Sequence, residues 1–516
     1  MQSHHLKKEM SSLSLLFISF AAIFGSGWLF APFYAAQIAG PGALLSWVLG
    51  ALISIVIGMT MAEVITLYPE AGGVNSVSAQ THGSLLGTVV TLLYLLVFVL
   101  LPALEVRAII QYAASHFKFL MLDQDRISIT GYAFAFGLLA ILHALNLLGV
   151  GKMSRVNNVI VVLKMIAPIL ICTAFISVMS SRNEFHLDRV SLLSAPSWKE
   201  IFEAIATSGI IFSYNGFNQA TVFAAEAKNP KRSIPFAILG SILLAGLFYF
   251  VIQGVFLLAV PQESLSLGWK KVSFPGDQGP FAGLAILLGL KSVLGLIYAD
   301  AVLSPAGTAL SYASAAPRLF FSLGKQNQSL KHLISLNQAG VPYLSIVITF
   351  ALECIALLVL PSLKGMISIL VAAFVLCYTV APASLLVLRK LEPTLNRPFR
   401  LRLAPLMCFL SVLFSNLMVL SCGWMALRNL LFTSGTLFLG YLAYEVSYGK
   451  KASDLTSEVY PSFWFFLQMV LLAALSFYSK QMGLSFEVEF GLVLLLSALC
   501  LYLAQRMNKG NALREF

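Results

Sequence analysis

Long apolar stretches separated by short polar segments run through almost the whole chain. A membrane-spanning helix needs about 20 mostly apolar residues to cross about 30 Å of hydrocarbon. Windows of that length predict fourteen spans. They cover residues 11–39, 43–67, 85–112, 132–148, 156–179, 198–227, 234–260, 281–315, 342–360, 366–388, 403–424, 430–448, 460–478 and 490–503. The pattern therefore predicts an all-α integral membrane protein.

Composition supports a membrane location and excludes several other classes of protein. Of the 516 residues, 59% are hydrophobic and only 11% are charged, whereas about a quarter of the residues of a soluble protein are charged. A soluble enzyme, a disordered chain and a disulfide scaffold are therefore excluded. The lipid bilayer is the first partner that the sequence implies.

The cysteines and histidines do not form a pattern typical of a metal or catalytic site. The six cysteines all lie in apolar segments without CxxC or CxxH spacing, so we interpret them as small core residues. The seven histidines are scattered, and no HExxH, GxSxG or phosphate-binding GxxxxGK motif occurs. We therefore expect no metal, no cofactor and no enzymatic activity.

The positive charge of the chain follows from its membrane topology. The formal net charge is +11, which in a soluble protein would suggest a nucleic-acid partner. Here nearly all Lys and Arg lie in loops, tails or span ends, so no nucleic acid is expected. With the amino terminus inside, the inner segments hold about twice as many Lys and Arg as the outer segments, which favours cytoplasmic termini.

Two of the predicted helices are interrupted near their centres. The first contains GSG at residues 25–27, and the sixth contains SYNG at residues 213–216. A glycine inside a helix costs about 1 kcal/mol relative to alanine. Paired interruptions in corresponding positions indicate the substrate site of a transporter built from inverted repeats. The alternative is that both clusters are packing sites where helices approach closely.

The spacing of the two interruptions predicts the domain organisation. Spans one to five would form the first repeat and spans six to ten the second, with roughly equal lengths. Spans eleven to fourteen lie outside the repeat and would serve packing or dimerisation. The expected boundaries are an amino-terminal tail at 1–10, repeats at 11–180 and 181–390, carboxy-terminal helices at 391–506 and a tail at 507–516.

The electrostatics of an interrupted helix suit a zwitterion. The half-helix that begins at Gly27 would offer free N–H groups to an anion, and the halves that end near Ile23 and Phe212 would offer free carbonyls to a cation. An amino acid carries a carboxylate and an ammonium on one carbon, so it matches this layout. Irregular backbone at this depth requires surrounding protein or a hydrated cavity.

Several motifs resemble the amino acid, polyamine and organocation transporter superfamily. They are GSGWLFAPFYAAQIAGPG from residue 25, YPEAGG from 68, FSYNGFNQATVFAAEAKNPKRSIP from 212 and RLFFSLGKQ from 318. The resemblance implies a five-plus-five inverted repeat and alternating access. It places the substrate carboxylate on Gly25, Ser26 and Gly27 and the ammonium on the carbonyls of Ile23 and Phe212. Phe212 is either an aromatic lid or a core residue.

The expected substrate-binding residues all lie at the two interruptions. They are Ile23, Gly25, Ser26, Gly27, Phe212, Ser213, Tyr214, Asn215 and Gly216.

Lys164 lies deep in the fifth predicted span, close to the midplane of the membrane. It resembles a lysine of proton-coupled, sodium-independent superfamily members, whose ammonium stands in place of a sodium ion between helices one and eight. The alternative is a permanently charged lysine anchored on carbonyls at the first helix break. Burial disfavours the charged form of lysine, so protonation that follows cavity opening is chemically reasonable.

Other ionisable residues inside predicted spans are candidates for coupling because burying them is costly unless they are paired or hydrated. Glu105 could carry a proton, whereas Arg107 could meet an anionic side chain or pair at the outer end. Residues two apart on a helix lie about 200 degrees apart, so these two cannot face one cavity. Asp300 is either a coupling carboxylate or a partner of Lys291.

The predicted function is secondary active transport of amino acids, coupled to protons. GSGWLF, PALEVRA and the extra spans resemble bacterial aspartate-proton symporters within the superfamily. This resemblance makes acidic amino acids such as aspartate candidate substrates and implies a bacterial cytoplasmic membrane. The alternatives are an amino acid or polyamine exchanger of the same fold, a channel, and a non-transporting nutrient sensor.

Overall fold

The computed structural model describes residues 6–114, 117–123, 126–182, 197–274, 279–359, 363–447 and 452–508. Within these ranges every regular element is a helix, apart from two isolated β-bridges. Ten segments are long and apolar enough to cross a membrane, and two shorter apolar helices accompany them. The prediction of an all-α integral membrane protein is confirmed.

The first seven α-helices contain both pieces of the first predicted span. They are α1 (Ser12–Ile23), α2 (Ala31–Ala39), α3 (Ala43–Leu67), α4 (Val74–His82), α5 (Ser84–Ala114), α6 (Ile129–Leu147) and α7 (Val150–Ser181).

The next six helices run from the interrupted sixth span to the eighth. They are α8 (Trp198–Thr207), α9 (Ile210–Tyr214), α10 (Gln219–Val222), α11 (Pro230–Ala259), α12 (Pro280–Leu287) and α13 (Lys291–Gln326).

The last seven helices complete the described chain. They are α14 (Tyr343–Val359), α15 (Leu363–Tyr378), α16 (Val380–Leu391), α17 (Ala404–Ser421), α18 (Gly423–Ser447), α19 (Ala452–Met482) and α20 (Phe486–Arg506). Helices thus lie at each of the fourteen predicted spans, while the number that cross the membrane stays a prediction.

The eighth predicted span begins later than the sequence suggested. Residues 280–287 form the separate helix α12, and Gly289 adopts a φ of +74° before α13 starts at Lys291. A left-handed glycine of this kind ends one helix and redirects the chain. Lys291 therefore lies exposed at the first residue of a candidate span, and not in its interior as the sequence suggested.

The tenth predicted span is split into two helices at Thr379. α15 ends at Tyr378, and α16 begins at Val380. Pro382 lacks the N–H group that would bond to the carbonyl of Tyr378, so an uninterrupted helix loses one bond here. This interruption was not predicted.

The central helices surround the first interrupted helix. α1 packs against α7, α11 and α13, while α5 packs along α13. The apolar window of α5 is 83% buried, whereas those of α6 and α20 are only 33% and 28% buried. Of the candidate spans that the described residues contain, only Leu370–Leu391 is more buried than α5, at 100%. The helix that packs beside the first interruption is therefore well enclosed.

Candidate substrate and proton site

The first helix is interrupted at the GSG segment, as predicted. α1 ends at Ile23, and a short 3-10 helix spans Ser26–Leu29 before α2 begins. A Cβ atom on Gly25 would lie 2.8 Å from Thr308 Oγ1, and one on Gly27 would lie 2.6 Å from Ser213 Oγ. The glycines are thus needed because neighbouring side chains approach the backbone closely.

The sixth segment is interrupted twice. Gly209 has a φ of +96° and separates α8 from α9, and Gly216 has a φ of +122° in the gap between α9 and α10. The second gap was predicted, but Ser213 and Tyr214 form the last turn of α9 instead of lying in it. The break at Gly209 was missed, although TSG at residues 207–209 carries a glycine signal.

The two interruptions touch each other through backbone. A Cβ atom on Gly216 would lie 2.7 Å from the carbonyl carbon of Ala22 and 2.8 Å from the amide nitrogen of Ile23. A side chain at residue 216 would therefore push the sixth segment away from the end of α1. The broken ends form one site.

Lys164 binds a carbonyl that the first interruption leaves free. The Gly25 N–H bonds to Ile23 O at 3.1 Å, so it does not continue the helical bond to Ala21 O. The Lys164 ammonium donates to Ala21 O at 3.0 Å and to Ser304 O at 3.2 Å. Lys164 is fully buried halfway along α7 and connects α1 to α13.

Thr308 strengthens the same connection. Its hydroxyl lies 2.8 Å from Ala21 O and 3.2 Å from Ser304 O, the two acceptors that Lys164 also uses. The single hydroxyl proton can point to one acceptor at a time. The end of α1 is therefore held by donors from both α7 and α13.

Asp300 forms hydrogen bonds with Trp28 and Ser304 and not with Lys291, although pairing with Lys291 was one of its two expected roles. Its Oδ2 accepts from Trp28 Nε1 at 2.9 Å and from Ser304 Oγ at 2.9 Å. Asp300 also interacts electrostatically with Lys164. Its Oδ1 is buried and has no hydrogen-bond partner in the described part of the chain. This carboxyl group thus links α13 to the short helix after the first break.

Glu105 approaches the first interruption from α5. The hydroxyl and backbone N–H of Ser26 interact electrostatically with its carboxyl group. Glu105 Oε1 lies 2.9 Å from the position of a Cβ atom on Gly25. Glu105 Oε2 is buried without a hydrogen-bond partner among the residues that the structure describes. The Glu105 carboxyl group therefore interacts with N–H and O–H groups that the sequence analysis assigned to a substrate carboxylate.

A small cavity lies between the two interruptions. Its volume is about 10 Å³, and its lining is Ala22, Ile23, Gly25, Gly27, Leu101, Glu105, Phe212, Ser213, Asn215, Thr308 and Tyr312. A space of this size holds about one water molecule. An amino acid could enter only if the surrounding helices moved apart, so this conformation is closed.

Six of the nine expected binding residues line the cavity. Ser26, Tyr214 and Gly216 do not. The Tyr214 hydroxyl donates to Trp47 O at 3.0 Å and so packs the segment against α3. Arg107, which the sequence left as an alternative to Glu105, is also outside the lining.

Tyr249 on α11 joins the carbonyl ends of both broken helices. Its hydroxyl lies 2.9 Å from Ile23 O and 3.0 Å from Ser213 O. Phe212 O accepts the Asn215 N–H at 3.1 Å. Both carbonyls that were expected to bind the substrate ammonium, those of Ile23 and Phe212, therefore already have donors within the protein. Phe212 O retains a second lone pair, whereas Ile23 O accepts from both the Tyr249 hydroxyl and the Gly25 N–H. Sequence reasoning missed Tyr249, whose only signal is a hydroxyl inside an apolar run.

Two further buried pairs lie outside the cavity. Arg318 Nε bonds to Glu226 Oε1 at 2.8 Å, and both side chains are buried. His143 Nε2 lies 2.8 Å from Glu353 Oε2, between α6 and α14. The described residues contain no group of three or more His, Cys, Asp or Glu side chains placed to hold a metal ion.

Comparison with known proteins identifies the family. The model of a family described as "Amino acid permease" matches residues 10–444. The chain belongs to this permease family. It is therefore a member of the amino acid, polyamine and organocation superfamily, a multi-pass membrane protein and a transporter rather than an enzyme.

Named relatives of this permease include three from Bacillus subtilis (strain 168). An aspartate-proton symporter is 31% identical over 487 residues, which cover 93% of this chain and 92% of the relative. The glutamate/serine transporter AimA is 30% identical, and the matched region covers 83% of this chain and 80% of AimA. The branched-chain amino acid permease BcaP is 25% identical, and the matched region covers 87% of this chain and 95% of BcaP. These similarities support amino acid transport.

Proposed function

We propose that this permease accumulates amino acids by proton symport, with alternating access around the cavity between the two helix interruptions. The observation that carries the proposal is the Lys164 ammonium, buried in mid-helix and bound to Ala21 O and Ser304 O. A buried cation at this position ties the first interrupted helix to α13. Loss or gain of the Lys164 proton changes the strength of these two hydrogen bonds, so the packing of the first helix against α13 can respond to the proton gradient.

The Gly25–Gly27 segment is the proposed binding site for the α-carboxylate. The hydroxyl and N–H of Ser26 already interact with Glu105. Two carboxylates cannot share these donors at close range while both are charged, because their repulsion is strong in a poorly solvated site. Binding of a substrate carboxylate therefore favours protonation or withdrawal of Glu105. This competition links substrate binding to proton binding.

The carbonyls of Ile23 and Phe212 are the proposed binding site for the α-ammonium. Phe212 O accepts one hydrogen bond and keeps a lone pair for a further donor. Ile23 O accepts from both the Gly25 N–H and the Tyr249 hydroxyl, and it gains a free lone pair when that hydroxyl turns to Ser213 O. Asn215 Nδ2 lines the same space, buried and without a hydrogen-bond partner in the described ranges. It is available to bind polar atoms of the substrate side chain.

Lys164 and Asp300 are the proposed second proton-responsive pair. They interact through their charges, and Asp300 also binds Trp28 in the segment that follows the first break. Before the break in the first segment, Lys164 connects Ala21 to Ser304 on α13; after the break, Trp28 bonds to Asp300 on α13. Protonation or deprotonation of the pair alters both connections. Opening of the cavity to either face of the membrane would then follow the state of this pair.

Acidic amino acids are the proposed substrates, with aspartate first. The support is the names of the two relatives at about 30% identity, an aspartate-proton symporter and a glutamate/serine transporter. Ser213, Asn215 and Tyr312 supply polar groups to the lining. These groups can bind a side-chain carboxylate that carries the cotransported proton.

The proposed membrane is the bacterial cytoplasmic membrane, with both termini on the cytoplasmic side. The repeats are proposed to cover residues 11–180 and 181–390, and the remaining helices to pack at the periphery. The interrupted first segment lies in the first proposed repeat and the interrupted sixth segment in the second, which supports this division.

The decisive experiment is uptake by purified protein in proteoliposomes. Labelled aspartate, glutamate, serine and leucine are supplied with pH and sodium gradients imposed separately. We expect accumulation driven by an inwardly directed proton gradient and unaffected by sodium. Uptake driven by sodium and indifferent to pH would refute proton coupling. Exchange of labelled for unlabelled amino acid without net accumulation would indicate an exchanger, and binding without transport would indicate a sensor.

A further inference from the structure

A buried carboxylate at the end of α3 organises a cluster of arginines. The Glu63 side chain is fully buried, and Arg389 on α16 donates to both of its oxygens, at 2.9 Å and 2.7 Å. Arg397 Nε lies 3.2 Å from Glu63 Oε1. One carboxylate therefore faces two guanidinium groups, and the cluster keeps a positive charge.

The same cluster fixes the loop between α16 and α17. Glu63 Oε2 accepts the Leu401 N–H at 2.7 Å, and Arg389 donates to Leu401 O at 2.7 Å. Leu401 is thus held through both its N–H and its carbonyl. Its side chain is buried, whereas the neighbouring Arg400 and Arg402 are both exposed. The loop presents these two guanidinium groups from a rigid base.

These side chains line a wide pocket of about 630 Å³. Its lining is Arg389, Arg400, Leu401, Arg402 and Leu403. Acidic side chains are absent from this lining, and Arg400 and Arg402 form no ion pair with the described residues. Leu403 is 69% exposed at the edge. The pocket therefore combines unneutralised cations with one exposed apolar side chain.

The pocket lies at a membrane surface. Its loop joins two segments, Leu370–Leu391 and Ala404–Ser421, that are long and apolar enough to cross the membrane. The loop leaves the hydrocarbon where the first of them ends and re-enters it where the second begins. Phospholipid phosphates lie at this depth, and acyl chains begin just below them.

We infer that this pocket binds the phosphate of an anionic phospholipid. Arginine presents its N–H donors in a planar fork that matches phosphate oxygens, and basic pockets between membrane helices bind acidic headgroups. The exposed Leu403 contacts the upper acyl chain, which a soluble phosphate does not have. A net negative headgroup is favoured over a zwitterionic one because the arginines outnumber the single Glu63 carboxylate.

A bound lipid would connect three elements that Glu63 already brings together. Its phosphate would contact Arg400 and Arg402 in the loop and Arg389 on α16, while Arg389 remains bonded to Glu63 on α3. The lipid would thus act as an additional link between α3 and α16. Its binding does not depend on which solute the permease transports.

The test measures lipid affinity with the full chain, in detergent and by native mass spectrometry. Phosphatidylglycerol and phosphatidylcholine of equal chain length are titrated separately, and glycerol phosphate and inorganic phosphate form two further series. We expect wild-type protein to bind phosphatidylglycerol at least tenfold more tightly than phosphatidylcholine. We expect neither glycerol phosphate nor inorganic phosphate to displace phosphatidylglycerol at concentrations at which phosphatidylglycerol itself saturates the pocket.

Two double variants separate this pocket from general surface charge. Arg400→Gln with Arg402→Gln is expected to lose the tenfold preference. Lys152→Gln with Arg155→Gln removes the same charge from exposed positions on α7 and is expected to keep it. Arg389 stays unchanged because it supports Glu63.

Three results would overturn the inference. They are equal affinity of wild-type protein for both lipids, equal loss of preference in both double variants, and binding of inorganic phosphate as tight as that of phosphatidylglycerol. If the double variant fails to fold, the single variants Arg400→Gln and Arg402→Gln are measured instead. Each is expected to weaken phosphatidylglycerol binding at least threefold.

Discussion

The ammonium of Lys164 lies 3.0 Å from the carbonyl oxygen of Ala21, in the last turn of the first helix before its interruption. That carbonyl is available because the helix stops at Ile23 and Gly25 turns its N–H to a different acceptor. Lys164 thus compensates, together with the Thr308 hydroxyl, an orphaned backbone acceptor in the centre of the protein.

Removing the Lys164 ammonium is expected to abolish accumulation and leave binding measurable. Lys164→Ala deletes the donor to Ala21 O and Ser304 O and removes the charge that faces Asp300. We expect gradient-driven uptake in proteoliposomes to fall at least tenfold, with amino acid binding still detectable by calorimetry. Lys152→Ala, on the exposed start of the same helix, is the control. Normal accumulation by Lys164→Ala would leave this lysine a purely structural role.

Replacing Glu105 is expected to remove the pH dependence of substrate binding. In the wild type, the ionised carboxylate interacts with the Ser26 donors, so affinity should weaken as the pH rises. Glu105→Gln has no such charge, so we expect a flat pH profile and loss of proton-driven uptake by at least tenfold. Glu353→Gln alters a buried carboxylate that pairs with His143 instead and should keep the wild-type profile. A Glu105→Gln profile that still falls with rising pH would contradict the proposed competition.

A side chain at position 216 is expected to separate the two interruptions. Gly216 has a φ of +122°, and a Cβ atom would lie 2.7 Å from the Ala22 carbonyl carbon. Such strain costs about 1–3 kcal/mol, before any backbone overlap is relieved. We expect Gly216→Ala to lower the thermal unfolding midpoint and to weaken substrate binding at least tenfold. Gly137→Ala meets open space on α6 and should not lower the midpoint. Equal behaviour of both variants would disprove the close approach.

Removing the Tyr249 hydroxyl is expected to loosen the closed conformation. Tyr249→Phe keeps the ring but deletes the donor shared by Ile23 O and Ser213 O. Loss of a buried hydrogen bond costs about 1–3 kcal/mol, so the unfolding midpoint should fall. The Ile23 carbonyl also loses a competing donor, so we expect substrate affinity to be maintained or increased. Tyr502→Phe, at an exposed ring, is the control. A large loss of affinity in Tyr249→Phe would show that the hydroxyl itself binds substrate.

The sequence predicted the features that depend on residue type at one position. Length and apolarity identified the helices, and glycines marked the interruptions at residues 25–27 and 216. These features follow from local chemistry. The position of Lys164 between the first and eighth segments was instead expected from the resemblance to proton-coupled members of the superfamily, and its ammonium binds Ala21 O and Ser304 O.

Other features depend on contacts between distant segments and could not be predicted. The Tyr249 hydroxyl gives no sign in the sequence that it reaches Ile23, 226 residues away. The histidines were interpreted as scattered, but His143 bonds to Glu353 on a helix 210 residues later. Lys291 was placed inside a span because the apolar run continues through the turn at Gly289. Tertiary packing decided the outcome for Tyr249 and His143, whereas the left-handed turn at Gly289 decided it for Lys291.

Because Gly216 has no side chain, the interruption in the sixth segment lies directly against the end of α1. A movement of one interrupted segment is therefore coupled to a movement of the other. Because the backbone of one interrupted segment rests directly on the other, neither half-helix can tilt without sliding along its counterpart. Motion of either segment would therefore be resisted by its direct backbone contact with the other.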